Sequence, residues 1–119
     1  MASRTFVGIG GFKSATQDLT TLPSDGNFHT VFSMTLPRGI WLVSGYVNAT
    51  ASFQEAFYCR MRKNTNTLCR ENLDGRGGGG ISLATGVSSD GTAVIDLWVY
   101  QGSGSDKTIQ GYLNAYRIA

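Results

Sequence analysis

The residue types that most often carry catalysis or bind metal ions are few in this chain and lie far apart. His29 is the only histidine, and the two cysteines, Cys59 and Cys69, lie far downstream of it. A structural zinc site needs four converging ligands, so one histidine and two distant thiols do not predict one. No G-x-S-x-G motif or other nucleophile signature is present. We therefore expect no catalytic residue, no metal site and no cofactor.

A run of four glycines, Gly77 to Gly80, invites comparison with phosphate-binding loops. It lacks the Gly-Lys-Ser/Thr ending that places a lysine on the phosphates. The residues after it predict a strand, so no helix N-terminus would face an anion. We expect the segment from Asn72 to Gly80 to be a mobile or closely packed loop.

One group of basic residues could bind an anionic partner. Arg60 and Arg62 alternate with Tyr58 on one face of a predicted strand, and Lys63 follows directly. The planar fork of arginine suits carboxylates. These four residues are a possible contact for an acidic protein surface or an anionic glycan. The alternative is a solvated sheet face, since acidic residues nearby in the sequence dilute the charge.

Aromatic residues form the most informative pattern. On three predicted strands they occupy the face opposite the core residues, which is typical of an interface. A one-residue bulge would reverse the face of a strand, so an error of phase in one strand is the alternative. The candidate interface residues are Tyr46 on the first strand, Asp96, Trp98 and Tyr100 on the second, and Tyr112 and Tyr116 on the third.

These side chains must be positioned by strands, because the composition opposes helices. The chain has 119 residues, of which 16 are glycine and only 15% are charged. Apolar residues alternate with polar ones at period two, as in Trp41, Val43, Gly45 and Val47. We predict one domain, residues 1–119, that is all-β with seven or eight strands and no substantial helix. Short strands separated by glycine-rich turns are typical of an antiparallel β-sandwich or jelly roll.

The N-terminal part, residues 1–27, is less regular. We expect a strand at about Arg4–Ile9 and then an irregular, exposed stretch, because dense glycine weakens strands. Further on, period-two spacing places Phe28 on the same face as Phe32 and Leu36.

The net charge and the search for a leader segment bear on which kinds of partner we expect. The formal net charge of +2 is too small to indicate nucleic-acid binding. No apolar signal segment or membrane-spanning stretch is visible, so we expect synthesis in a cytoplasm and no membrane partner. Free, mostly buried thiols are then expected at Cys59 and Cys69, with a cross-strand disulfide as the alternative.

Five short segments carry a resemblance to a known family. They are Ser44-Gly45-Tyr46-Val47, Arg62-Lys63-Asn64, Val87 to Asp90-Gly91, Leu97-Trp98-Val99-Tyr100-Gln101 and Ile109-Gln110-Gly111-Tyr112-Leu113. Over residues 27 to 119 the chain resembles the jelly rolls of the tumour-necrosis-factor (TNF) superfamily, most of all the versions in phage and spore-surface proteins. The resemblance implies that the three aromatic strands are neighbours in one inner sheet, which packs around a three-fold axis.

The resemblance also implies a non-enzymatic, structural function. We expect a homotrimeric phage protein that decorates the surface of the virion head and binds the major capsid protein. In that trimer Trp98 would lie near the axis, and Asp96 would find an arginine or a tyrosine hydroxyl on another subunit. The alternative is a receptor- or glycan-binding module of a phage tail or fibre.

Overall fold

Eight antiparallel strands form two stacked sheets in the computed structural model, which describes residues 11–53, 55–73 and 77–119. Sheet I has the strand order β1-β8-β3-β6, and sheet II has the order β2-β7-β4-β5. This double-sheet arrangement is a jelly roll, which confirms the predicted all-β fold class. The strands are β1 (Phe12–Leu22), β2 (His29–Leu36), β3 (Gly39–Phe53), β4 (Phe57–Lys63), β5 (Asn66–Leu73), β6 (Gly77–Ser89), β7 (Ala93–Gln101) and β8 (Lys107–Arg117).

The core lies between the inner faces of the two sheets. Alternation predicted the inward residues of β3, β4, β6 and β7 correctly, because every second residue of a strand points to the same side. Trp41 is 2% exposed, and its indole N–H donates to the Pro37 carbonyl over 2.9 Å. The largest apolar side chains packed with it are Leu22, Leu36, Val43, Phe57, Met61, Ile81, Ile95, Leu97, Ile109 and Leu113.

The N-terminal segment is more regular than the sequence indicates. Strand β1 pairs with β8 from Phe12 opposite Tyr116 to Leu22 opposite Lys107. The expectation of an irregular stretch is therefore wrong for residues 12–22, whereas the strand expected at Arg4–Ile9 lies outside the described residues. A break in the register between Gln17 and Thr20 interrupts the alternation, which hides this strand in the sequence.

A second bulge lies in β2, an edge strand of sheet II. It reverses the face on which the residues before it lie. In β2, Thr30 pairs with Trp98 and Phe32 pairs with Leu97, so Val31 is the extra residue between them. Phe28 consequently stacks on Trp98 outside the sandwich, while Phe32 is buried. The prediction that Phe28 and Phe32 share a face is wrong because the bulge shifts the phase by one residue.

The four-glycine run belongs to a strand, contrary to the predicted loop. Gly77 to Gly80 begin β6, and Gly80 pairs with Asn48 of β3. A Cβ atom on Gly80 would contact the Tyr46 ring, at 2.6 Å from its hydroxyl oxygen. Glycine at this position therefore makes room for an aromatic ring that lies across the sheet surface.

Candidate functional site

The outward face of sheet I carries an exposed aromatic patch. Tyr46 of β3 lies opposite Tyr112 of β8, and their ring centres are 5.7 Å apart and stacked. Two rows along the same face, past the pair Ser44 and Asn114, Tyr116 lies opposite Leu42 and packs against Phe12 of β1 with ring centres 4.7 Å apart. Leu42, Tyr116 and Phe12 are each about half exposed, at 47%, 51% and 51%. We call this patch, made of Phe12, Leu42, Tyr46, Tyr112 and Tyr116, the aromatic face.

The central strands β3 and β8 present uncharged side chains around the aromatic face. The outward positions of β3 and β8 that the structure describes carry no Asp, Glu, Lys or Arg side chain. Beyond Tyr46 and Leu42, the edge strand β6 presents the small residues Ser82, Ala84 and Gly86. An uncharged, aromatic sheet face bordered by small side chains has the composition of the buried core of a protein–protein interface.

The third predicted aromatic strand does not join this face. β7 lies in sheet II, between β2 and β4, so Asp96, Trp98 and Tyr100 point to the opposite side of the sandwich. The expectation that the three aromatic strands are neighbours in one sheet is wrong. The turn at Asp90 and Gly91 carries the chain from β6 in sheet I to β7 in sheet II, and sequence alternation cannot show such a crossing.

Trp98 and Tyr100 instead join three side chains predicted as a separate site, Tyr58, Arg60 and Arg62. Tyr58 stacks on Tyr100 with ring centres 5.3 Å apart, and Phe28 lies 4.4 Å from the Trp98 ring centre. The guanidinium carbon of Arg60 is 4.5 Å from the Phe28 ring centre. We call this group the arginine–aromatic cluster, and its members are Phe28, Tyr58, Arg60, Arg62, Asp96, Trp98 and Tyr100.

Arg62 and Asp96 form a nearly buried ion pair inside the cluster. Nε and Nη2 of Arg62 each donate to one Asp96 carboxylate oxygen over 2.8 Å. The two side chains are 12% and 11% exposed. The Arg62 guanidinium also lies 4.2 Å from the Trp98 ring centre. Asp96 thus finds within its own chain the arginine that we expected from another subunit.

Arg60 has a different environment from Arg62. Its Nε is buried and has no hydrogen-bond partner within the described residues. Arg60 lies opposite Trp98 of β7 on one side of β4 and opposite Arg70 of β5 on the other side. Lys63 does not belong with these arginines, because its ammonium group donates to the Ser88 carbonyl at the edge of sheet I over 2.6 Å. The predicted site therefore retains Tyr58, Arg60 and Arg62 only.

Local contacts and burial account for His29 and the two cysteines. The imidazole Nε2 of His29 lies 2.9 and 3.0 Å from the two carboxylate oxygens of Asp25, and this hydrogen bond lowers the Asp25 pKa. Burial, and secondarily the nearby Cys69, raise the pKa of Cys59 to about 12, and both thiols are free. In the described part of the chain no three metal-ligating side chains converge. The same residues include no helix that could cross a membrane.

Sequence reasoning missed Phe12, Leu42 and Phe28 as parts of these surfaces. For Leu42 the signal was present, since it alternates with Trp41 and Val43 on the outward side of β3. Phe28 was hidden by the bulge at Val31, whose position depends on the pairing partner rather than on local sequence.

Comparison with known proteins identifies the fold. No protein-family model and no curated protein sequence matches the chain. Among solved structures, a protein of the disulfide-linked pili of Bacillus endospore appendages is similar over 92% of this chain and 91% of its own, with a TM-score of 0.55 and 9% identity. Rabbit GITRL is similar over 88% of this chain and 95% of its own, with a TM-score of 0.50 and 12% identity. The jelly roll of this chain is therefore TNF-like.

Proposed function

We propose that this protein is a non-enzymatic structural protein that forms a homotrimer through the aromatic face of sheet I. The observation that carries this proposal is the patch of half-exposed Leu42, Tyr116 and Phe12, which adjoins outward positions of β3 and β8 that bear no charge in the described residues. Leaving such a patch in water is unfavourable, whereas a closed three-fold assembly covers all copies at once. The TNF-like fold supports this proposal, since the family resemblance implies packing around a three-fold axis.

The assembly experiment compares two matched leucines. Leu42→Glu places a charge within the aromatic face, and Leu68→Glu places one on β5 in sheet II, where Leu68 is 39% exposed. We expect light scattering after size exclusion to show a trimer for the wild type and for Leu68→Glu, and a monomer for Leu42→Glu. A trimer that survives Leu42→Glu, or a monomeric wild type at tens of micromolar, contradicts the proposal.

For the biological role we propose decoration of a phage head, at the virion surface and in contact with the major capsid protein. A trimer bound to neighbouring capsid subunits would stabilise the assembled shell alone, because it binds that state only. The protein of endospore-appendage pili among the similar structures is one case in which this fold serves in a structural assembly. The test adds purified protein to undecorated particles and measures the temperature at which they release DNA. Particles that release DNA at the same temperature with and without the protein contradict this role.

A second candidate function is a receptor- or glycan-binding module of a phage tail or fibre. The observation that favours it is the arginine–aromatic cluster on sheet II, on the side opposite the aromatic face. Soluble protein should then compete with phage for adsorption to host cells. Gold-labelled antibody on intact virions separates the two roles, since it marks the head in one case and the tail in the other.

A further inference from the structure

Two arginines face each other across strands β4 and β5 without a carboxylate between them. Arg60 and Arg70 are directly opposite in the register, which places their Cβ atoms about 5 Å apart. Like charges in this position destabilise a sheet. Among the residues that the structure describes, no carboxylate lies within 4 Å of either guanidinium.

The aromatic rings hold Arg60 in place. Its guanidinium carbon lies 4.5 Å from the Phe28 ring centre and 5.8 Å from that of Trp98. Within the described chain the buried Nε has no acceptor, and an unsatisfied buried donor costs free energy. Within the described residues, Arg60 therefore has a buried Nε without an acceptor and no carboxylate partner on the outer face of sheet II.

Arg62, two residues further along the same face, shows the contrast. It has both Asp96 oxygens at 2.8 Å, so its charge is fully neutralised within the chain. The same strand thus carries one arginine with a complete carboxylate partner and one without. A ligand that brings a carboxylate to Arg60 and Arg70 would complete the second pair.

We infer that Arg60 and Arg70 form a binding site for the carboxylate of an acidic saccharide. Tyr58 and Tyr100 stack on each other at 5.3 Å, and Phe28 lies 6.4 and 5.4 Å from their ring centres. The outer edge of this half-buried aromatic group is an apolar surface for the C–H face of a sugar ring. Asn72 lies opposite Tyr58 and can hydrogen-bond sugar hydroxyls. Two unneutralised arginines suit a ligand with isolated carboxylates better than a polyphosphate, whose binding depends on many cations.

This inference rests on the second candidate function for the class of ligand and is independent of the trimer. Its test uses purified saccharides and the full chain, so a failure here is distinguishable from a failure to block adsorption. The probes are a hexasaccharide of galacturonic acid, its methyl ester, which is the same saccharide without charge, and hexaglutamate. Calorimetric titration at low ionic strength measures each affinity.

The variants are Arg60→Gln, Arg70→Gln and, as a matched control, Lys13→Gln, which removes an exposed cation from sheet I. We expect the acidic hexasaccharide to bind and each arginine variant to bind about tenfold more weakly or worse. Lys13→Gln should bind as the wild type does, and the methyl ester should bind at least about tenfold more weakly than the acid. Arg70 is exposed on an edge strand, so its variant decides the matter if Arg60→Gln alters the fold.

Three results would overturn the assignment. The first is a failure of the acidic hexasaccharide to bind. The second is a loss of affinity for Lys13→Gln as large as that for the arginine variants, which would mean that binding reflects net charge alone. Hexaglutamate binding as tightly as the saccharide would identify an acidic polypeptide as the partner instead.

Discussion

Replacing Asp96 by asparagine tests whether the ion pair organises the arginine–aromatic cluster. Asp96 is 8% exposed and accepts two hydrogen bonds of 2.8 Å from Arg62. Asparagine keeps the size of the side chain but removes the charge and one of the two acceptors. Arg62 would then remain a nearly buried cation that has lost its counter-charge and one of its two hydrogen-bond acceptors.

The expected cost follows from the geometry. Removing one partner of a buried ion pair costs about 3–5 kcal/mol. Here the guanidinium keeps its contact with the Trp98 ring at 4.2 Å, and such a cation–π contact is worth about 0.5–1 kcal/mol or more. We therefore expect Asp96→Asn to lower the free energy of unfolding by about 2–4 kcal/mol. At roughly 4 °C per kcal/mol for a chain of this length, Tm falls by about 8–16 °C.

Urea unfolding at one fixed protein concentration, followed by far-ultraviolet circular dichroism, measures this change. The matched control is Asp106→Asn in the exposed loop before β8, which should change stability by less than about 0.5 kcal/mol. In the double variant Arg62→Gln/Asp96→Asn no unpaired cation is left, so it should be more stable than the sum of the single variants indicates. A loss below about 1 kcal/mol for Asp96→Asn, or strict additivity, refutes the reasoning.

Three further predictions concern other parts of the sandwich. Gly111→Ala should cost about 3 kcal/mol or more by urea unfolding, since a Cβ there would collide with the backbone of β3, whereas Gly86→Ala has open space and should fold normally. The Cys59 thiol, with its pKa raised to about 12 by burial, should react with Ellman's reagent at pH 8 only as fast as the protein unfolds. Arg70→Glu should raise the unfolding free energy by about 0.2–1 kcal/mol through a cross-strand pair with Arg60, and should abolish binding of the acidic hexasaccharide.

The fold could be predicted from sequence because its signal is local. Period-two alternation alone assigns Trp41 and Val43 to the core and Leu42 to the outside, and the structure confirms this for β3. The same reasoning correctly placed Leu97 in the core and Trp98 on the outward face of β7, where it is half-buried, and the pairing of β7 with β4 has no bulge. Where a strand pairs without interruption, its faces can be read directly from the residues.

The candidate site was only partly predictable, because it depends on which strands become neighbours. Trp98 and Arg60 were each identified as functional residues but were assigned to different surfaces. They meet only because β7 pairs with β4 across a long stretch of chain. The bulge at Val31, which brings Phe28 to the same place, has no distinctive residue type that marks it.

The two surfaces lie on opposite sides of the sandwich, so the proposed trimer and the proposed saccharide site do not compete for the same face. On the aromatic face, the outward positions of β3 and β8 that the structure describes offer no cation to an acidic ligand. The cluster on sheet II is a poor self-association surface, because three-fold packing through it would bring Arg60 and Arg70 of several copies together. If sheet I faces the trimer axis, sheet II must face outward on all three subunits. The trimer would then present three arginine–aromatic clusters, and a saccharide with repeated carboxylates would bind through several of them at once.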